Sequence, residues 1–369
     1  MARLARADVF DPLEVSVFHC INRCVRRCFL CGHDPLTGKN YEHRKQWLEN
    51  RLAELAGLFG IDVLGFAILS NHFHVVLRNR PDVVATWSDQ EVARRWLLLC
   101  PLRKTDAGEP EEPTAEEIGT IANVPPRLAE IRRRLSDISW LMRMIAEPLA
   151  RRSNREEGTP GRFWQGRFKA VKLCDEAAIL ACSVYVDLNV IRAGLARTPE
   201  ESEHTSAQRR IEARRRIEAR QPSASGVSSD DVEAAPSTVK VVSSATAADA
   251  WLAPLALEES TTAAGLRPSS SAARCSDKGF LPLSLDEYLQ LLDWTGREIV
   301  SGKRGAIPAH LAPIFMRLDI PPSHWLDLAQ NFGRLFQRVA GGRRTLEHQR
   351  HRRTGRPFRT RHARLLGAG

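Results

Sequence analysis

The stretch VLGFAILSNHFHVVLR, residues 63–78, decides the fold. Its first part, Val63 to Leu69, is a short apolar run that predicts a buried strand. Ser70 and Asn71 form a turn signal, and His72 to Arg78 begins with the alternation of a second strand. The stretch therefore predicts a β-hairpin whose second strand starts with the sequence His-Phe-His.

Strand and helix patterns flank this hairpin on both sides. Alternation predicts one strand at Val15 to Asn22, and a second is compatible with residues 162–173; apolar residues at helical spacing predict helices at 41–59, 135–155 and 175–192. The resulting order is strand, helix, strand, strand, helix, strand, helix. This order predicts an α+β fold of the ferredoxin-like sandwich type, an antiparallel sheet with helices covering one face.

Changes in composition predict the domain organisation. We expect a first domain over residues 1–200, interrupted by a surface insertion at about 81–133. Residues 201–279 combine a charged helix with a linker that we expect to be disordered, because 221–271 is rich in Ser, Ala, Thr and Pro and has Trp251 as its one aromatic residue. Helical spacing returns over 280–340, which predicts a small helical module, and a basic tail follows at 341–369.

The charge balance suits a polyanionic partner. The 369 residues include 54 Lys and Arg against 44 Asp and Glu, a net charge of +10. Charge alone does not distinguish a nucleic-acid-binding protein from one with a solvated basic surface. No run approaches the roughly 18–20 apolar residues of a membrane span, and the first residues lack the apolar region of a signal peptide. We therefore expect a cytoplasmic protein with reduced thiols and no membrane partner.

Four cysteines lie close together near the N-terminus: Cys20, Cys24, Cys28 and Cys31. Cys28 and Cys31 have zinc-knuckle spacing, but no second Cys-x-x-Cys follows at finger spacing. The sequence leaves open whether this cluster binds zinc or consists of small buried or loop thiols.

His72 and His74 are two apart on a predicted strand, so both imidazoles extend from the same face. Their Cα atoms would be about 6.5–7 Å apart at the usual rise of a strand, a span at which two imidazoles can share one divalent ion. The alternative is a pair of polar residues on a solvated sheet face, and the pair alone does not decide between the two.

Tyr185 and Asn189 are the second pair of candidate residues. They stand at i and i+4 of a predicted helix and therefore share one face. A divalent ion held by His72, His74 and Asn189 would polarise a phosphodiester that the Tyr185 phenol attacks. The alternative for Tyr185 is a core tyrosine, although the chain offers only three tyrosines as nucleophiles.

Two basic regions are candidates for DNA contact. Arg162, Arg167 and Lys169 could bind phosphates, and Trp164 between them could stack on an unpaired base. The alternative is a core tryptophan beside a solvated basic edge. The tail from residue 341 has nine arginines and one acid, Glu347, which favours phosphate contact over a plain solvated arm; Arg343, Arg344, Arg352 and Arg353 are the residues we expect to contribute.

Taken together, these motifs resemble those of a known family. The sequence His72-Phe73-His74 resembles the His-hydrophobe-His (HUH) motif, and Tyr-Val-Asp-Leu-Asn-Val-Ile-Arg-Ala-Gly-Leu at 185–195 resembles the tyrosine helix of the REP-associated single-tyrosine transposases. Ile21-Asn22-Arg23 and the stretch FWQGRF at 163–168 fit as well. The resemblance covers roughly residues 15–196, without the insertion.

The resemblance implies a ferredoxin-like HUH domain that uses Mg²⁺ or Mn²⁺. It implies cleavage and rejoining of single-stranded DNA near hairpins through a 5′-phosphotyrosine. We expect the protein to be a monomer or homodimer. By position, His72 and His74 become metal ligands, Tyr185 the nucleophile and Asn189 the third ligand. The chain departs from the family in having Asp187 where His is usual and Val190 where Pro is usual.

Three other functions remain open. A relaxase or replication-initiator nickase uses the same chemistry, but the chain has no P-loop signature. A catalytically inactive DNA-binding protein derived from a transposase is a second alternative. A metal hydrolase acting on small substrates is a third, and it would give Tyr185 no clear role.

Overall fold

A computed structural model of the chain describes residues 11–25, 30–34, 38–220, 247–257, 265–301, 308–351 and 362–366. Its centre is a five-stranded sheet in the order β2-β3-β1-β4-β5. The strands are β1 (Val17–Arg23), β2 (Ile61–Ile68), β3 (His72–Asn79), β4 (Lys169–Leu173) and β5 (Val339–Ala340). Pairing is antiparallel except between β4 and β5. The hairpin predicted at residues 63–78 is β2 and β3, so the fold is α+β as predicted.

The described helices lie on both faces of this sheet. They are α1 (His43–Leu58), α2 (Pro81–Thr86), α3 (Asp89–Leu99), α4 (Ala115–Ala122), α5 (Pro125–Leu135), α6 (Ile138–Glu157), α7 (Glu176–Asp187), α8 (Asn189–Arg192), α9 (Ser206–Arg220), α10 (Leu285–Ser301), α11 (Ala312–Arg317), α12 (Trp325–Leu335) and α13 (Arg343–His351). None of the helices within the described ranges is long and apolar enough to cross a membrane.

The first face of the sheet packs against α1 and α6. Phe18, Cys20, Phe73 and Val75 alternate inward on β1 and β3, and they share one core with the leucines of α1 and the apolar side of α6. Alternation of this kind places every second side chain of a strand on the same face. This face is therefore apolar in the middle of the sheet.

The insertion is more ordered than its composition suggests. Residues 81–133, where we expect a surface insertion, are largely helical and contain α2 to α5. Ile121, Leu128 and Ile131 are buried in the same core as α1 and α6. The Pro- and Glu-rich composition reflects the starts and outer sides of short helices, since Thr114 and Glu117 form a capping box and Pro125 begins α5.

The second face of the sheet packs against α7. Val17, Val76 and Val171 share a core with the apolar residues of α7 and with the C-terminal helices. The expectation that helices cover only one face is therefore wrong, because the helix after β4 crosses to the other side. The helix expected at 175–192 is also divided: α7 ends at Asp187, and the four-residue α8 follows.

The C-terminal residues join the sheet and α7. Trp325, Leu328 and Phe332 on the buried side of α12 pack into the core that contains α7, and β5 adds a parallel edge strand to β4. The linker expected to be disordered is packed where it is described, because Trp251 and Leu252 are buried against the sheet core. Residues 221–246 and 258–264 of that linker lie outside the described residues.

Candidate active site

The two histidines of the hairpin lie side by side at the start of β3. The turn before them closes with a hydrogen bond from Leu69 N to His72 O of 2.9 Å. Alternation directs His72 and His74 to the face that α7 covers, and their ring centroids are 4.9 Å apart. His74 is 2% exposed and His72 is half-buried. The shared face is as the sequence predicts, but it is a buried face and not a solvated one.

A third histidine, His19 on β1, completes the cluster. It is fully buried, and its Nε2 is hydrogen-bonded to Nδ1 of His74 at 2.8 Å, with the rings stacked at 5.1 Å. The sequence alone did not identify His19 as a neighbour of the histidine pair. The missing information was the register of β1 against β3. In that register Ile21 opposes His74 and His19 opposes Val76, so His19 lies beside His74 on the same face of the sheet.

In both hairpin histidines, Nδ1 is hydrogen-bonded to a neighbouring side chain, so Nε2 is the remaining nitrogen of each ring. Asn71 Oδ1 accepts from Nδ1 of His72 at 2.6 Å, and His19 holds Nδ1 of His74. His74 Nε2 is buried and has no hydrogen-bond partner. Metal-binding imidazoles are usually oriented in this way, with the second nitrogen held by a neighbouring group. Asn71, which the sequence marks as a turn residue, therefore also orients His72.

Burial keeps these imidazoles uncharged. It lowers the pKa of His19 to about 3, with the nearby His72 adding to the effect. It lowers the pKa of His72 to about 4, assisted by the charges of Arg23 and Arg192. The pKa of His74 falls well below its usual value for the same reason, with His19 and His72 contributing. Neutral imidazoles keep the lone pair that a metal ion requires.

Tyr185 approaches the histidines from α7. Asp175 caps this helix by accepting from Ala178 N at 2.9 Å, and the helix then runs across the second face of the sheet. The Tyr185 ring lies 5.7 Å from the His74 ring and 5.8 Å from the His19 ring, edge-on in both cases. The structure thus brings together the tyrosine and the histidine pair that the sequence singled out.

Asn189 lies one turn further along, at the start of α8. It is buried; its Nδ2 donates to Tyr185 O at 3.0 Å, and its Oδ1 accepts from Arg192 at 3.0 Å. The guanidinium carbon of Arg192 lies 5.0 Å from the centre of the Tyr185 ring. Among the described residues, the side-chain hydrogen bonds of Asn189 run to the tyrosine helix and to Arg192, not to the histidines.

A metal ion at this site would have two imidazoles as its ligands. Within the ranges that the structure describes, no three His, Cys, Asp or Glu side chains are grouped so as to hold a metal ion. The two Nε2 atoms of His72 and His74 fit a pair of ligands, and a third ligand has to be an amide such as Asn189, water or substrate. Cys20, Cys24 and Cys31 are buried without forming such a group, and Cys28 lies outside the described residues.

The C-terminal helix α12 covers the tyrosine. Phe332 packs 6.0 Å from the Tyr185 ring and 6.4 Å from the His19 ring. A Cβ at Gly333 would lie only 2.8 Å from the Tyr185 hydroxyl oxygen, so the glycine permits this close approach. Tyr185 is 7% exposed as a result. The sequence gave no indication of this cover, since Gly333 is 148 positions from Tyr185 in the numbering.

The other residues predicted to contact DNA lie in different parts of the structure. Lys169 opposes Ile21 across the β1–β4 ladder, so it is on the histidine face, and it is exposed, as are Arg162 and Arg167. Trp164 is half-buried: it packs 5.8 Å from Phe73 on the other face and donates Nε1 to Ala146 O at 2.7 Å. Arg343 and Arg344 are exposed on α13, and Arg352 and Arg353 lie outside the described residues.

Comparisons with known proteins do not show a family for this chain. No protein-family model matches the chain, and no curated protein matches it. Among solved structures, the chain is similar to a REP-associated tyrosine transposase bound to a REP hairpin, with 12% sequence identity and a TM-score of 0.33, over 57% of this chain and 86% of that one. A likeness of this size supports no assignment, so the function has to be inferred from the site itself.

Proposed function

We propose that this protein is a transposase-type enzyme that cuts and rejoins single-stranded DNA beside a hairpin, with Tyr185 as the nucleophile. One observation supports this above all: the Tyr185 ring lies against His74, whose buried Nε2 has no partner. A buried polar atom without a partner costs roughly 1–3 kcal/mol, and a metal ion, a water molecule or a substrate group bound at Nε2 would remove that cost. The strand order β2-β3-β1-β4, with α1 and α6 on one face of the sheet, is compatible with the ferredoxin-like arrangement of such enzymes.

The proposed covalent step begins at the phenol of Tyr185. Tyr185 Oη loses its proton and attacks a phosphorus of the DNA backbone, and the bond from that phosphorus to the 3′ oxygen breaks. The departing 3′ oxygen takes up a proton, and the DNA on the other side stays bound as a 5′-phosphotyrosine. The new phosphodiester retains the free energy of the old one, so the reverse reaction with a second 3′ hydroxyl joins strands without a nucleotide cofactor.

We propose that the histidine pair binds a divalent ion, Mg²⁺ or Mn²⁺. His72 and His74 would hold it through Nε2, with Asn189 as the candidate third ligand. When bound, such an ion supplies positive charge to the phosphate that is attacked. His19 and Asn71 fix the ring orientations of the two ligands through the hydrogen bonds at Nδ1.

A covalent-adduct assay tests this proposal directly. Hairpin oligonucleotides with single-stranded flanks, labelled at the 3′ end, are incubated with the protein and Mn²⁺ and separated on a denaturing gel. We expect a labelled adduct with wild type, none with Tyr185→Phe, and a loss of at least about 100-fold with His72→Ala, the usual scale for a catalytic group. Tyr41→Phe is the matched control, because it removes the same hydroxyl at the start of α1, and it should leave the adduct unchanged.

The close cover over Tyr185 favours a second candidate, a DNA-binding protein that does not cut. Tyr185 is 7% exposed and its hydroxyl packs against Gly333 of α12, so the phenol is covered on this side in the described conformation. The same assay separates the two functions. Hairpin binding with no adduct at any Mn²⁺ or Mg²⁺ concentration would support the non-cutting DNA-binding protein. An adduct formed by Tyr185→Phe would refute the assignment of Tyr185 as the nucleophile.

A further inference from the structure

An open cavity of about 630 Å³ lies beside Tyr185, between α8 and the C-terminal helices α10 and α12. Its polar lining consists of Tyr185 and Arg192 on one wall and Gln330, Asn331 and Arg334 on the other. The remaining described lining residues are apolar or glycine, so no acidic side chain borders the cavity. Two cations and two amides beside a tyrosine suit an anionic ligand with many hydrogen-bond acceptors.

Neither arginine of the cavity has a described acidic partner. Arg192 and Arg334 are exposed and form no ion pair with any residue that the structure describes. Outside the cavity, Arg297 on α10 pairs with Asp293, and Arg343 on α13 pairs with Glu347. Two guanidinium groups without a described counter-ion therefore lie beside Tyr185 at this cavity.

Arg192 is placed to contact a phosphate that Tyr185 attacks. Its guanidinium lies 5.0 Å from the Tyr185 ring, and it donates to Asn189 Oδ1 and to the backbone carbonyl of Gln330. Both acceptors are neutral, and a phosphate oxygen is a stronger acceptor for guanidinium than either. The planar guanidinium can also offer two parallel N–H groups to one phosphate, which a lysine cannot.

We propose that this cavity is a phosphodiester-binding groove formed jointly by the tyrosine helices and the C-terminal module. Arg192 binds the phosphate that Tyr185 attacks, exchanging the Gln330 carbonyl for a phosphate oxygen. Arg334 of α12 binds a neighbouring phosphate of the same single strand. The C-terminal module is thus part of the DNA site, and the proposal rests on the function proposed above.

Arg334 is tested by equilibrium binding of Tyr185→Phe protein to a hairpin oligonucleotide with single-stranded flanks, over a series of salt concentrations. Loss of one phosphate contact to a single strand reduces the slope of log K against log salt by about 0.7. We expect that reduction from Arg334→Gln and none from Arg297→Gln, the matched control on the same module. Equal slopes for the two variants would overturn the role of Arg334. Thermal unfolding of each variant verifies folding.

Arg192 is tested by the rate of adduct formation at saturating DNA. We expect Arg192→Met to slow it by at least about 100-fold, as loss of a group that stabilises transition-state charge does, and Arg192→Lys to recover only part of the rate. Arg297→Gln, outside the cavity, should leave this saturated rate unchanged. An unchanged rate in Arg192→Met would overturn the assignment. The salt-dependence slopes are measured with Tyr185→Phe protein, which does not need to cut DNA. If wild type forms no adduct, the proposed function is refuted, and the slopes still test the groove.

Discussion

Strand β3 has buried polar side chains at both ends of one face, and the two ends differ in how those groups are paired. At its end, Arg78 donates to Asp62 Oδ2 at 2.8 Å and to the carbonyls of Lys278 and Gly279. At its start, His74 has one ring nitrogen bonded to His19 and the other buried without a partner. Both ends are shielded from solvent to a similar degree.

This difference teaches which buried polar residues indicate function. A buried ion pair with every hydrogen bond satisfied is explained by folding alone. An imidazole with an unused nitrogen is not, because the folded state gains nothing from it. Perturbed groups that folding does not explain tend to mark sites of chemistry. We therefore interpret the Asp62 end as structural and keep the histidine end as the proposed site of chemistry.

The largest expected effect on stability is at Asp62. Asp62→Ala leaves the guanidinium groups of Arg78 and Arg80 buried without their shared carboxylate. Breaking a buried pair by removing one partner costs about 3–5 kcal/mol of the free energy of unfolding. Asp82→Ala is the control, because Asp82 binds Arg80 from a more exposed position, and it should cost about 1 kcal/mol or less. Denaturant unfolding measures the loss in both variants. Equal losses would show that the buried carboxylate of Asp62 contributes no more to stability than the more exposed one of Asp82.

A smaller effect is expected at Glu49, a second fully paired group. Burial by itself raises the pKa of Glu49, but hydrogen bonds from His204 and Arg209 outweigh it and hold the pKa below its usual 4.5. A depressed pKa in the folded state means that the stabilisation is present above the unfolded value and is lost as pH falls through the folded one. Glu49→Gln should therefore lower the free energy of unfolding by about 1.5–3 kcal/mol at pH 7.

The pH dependence is the decisive part of the Glu49 prediction. The difference between wild type and Glu49→Gln should stay constant above about pH 5.5 and shrink as pH falls below 4.5. Denaturant unfolding at a series of pH values measures it. A difference that stays the same or grows in acid would show that the carboxylate charge does not stabilise the contact between α1 and α9.

Local patterns predicted the part of the fold that local physics determines. Alternation and helical spacing identified β1, the hairpin, α1, α6 and α7, because each element buries one side of a regular repeat. The shared face of His72 and His74 follows from the same repeat. The helices α4 and α5 within the insertion were not predicted, because their apolar faces are short and are interrupted by caps.

The rest of the site depends on contacts between distant parts of the chain. The bond from His19 to His74 requires the register of β1 against β3, which is set by tertiary packing. The cover over Tyr185 requires α12 to dock on α7, and nothing in the pattern around Gly333 indicates that neighbour. Sequence therefore identified the candidate nucleophile and ligand pair, and missed the residues that orient and enclose them.

The smallest expected effect on stability is the most informative about the histidine end. His19→Leu leaves Nδ1 of His74 without its partner and should cost about 1–3 kcal/mol. The double variant His19→Leu/His74→Leu replaces both members of the pair with apolar side chains on a buried face, so its free energy of unfolding should lie within about 1 kcal/mol of wild type or above it. Adduct formation should be lost in the double variant. If denaturant unfolding instead shows a loss as large as that of Asp62→Ala, the histidine pair is structural like the other end of β3, and the unpaired nitrogen no longer argues for chemistry at this site.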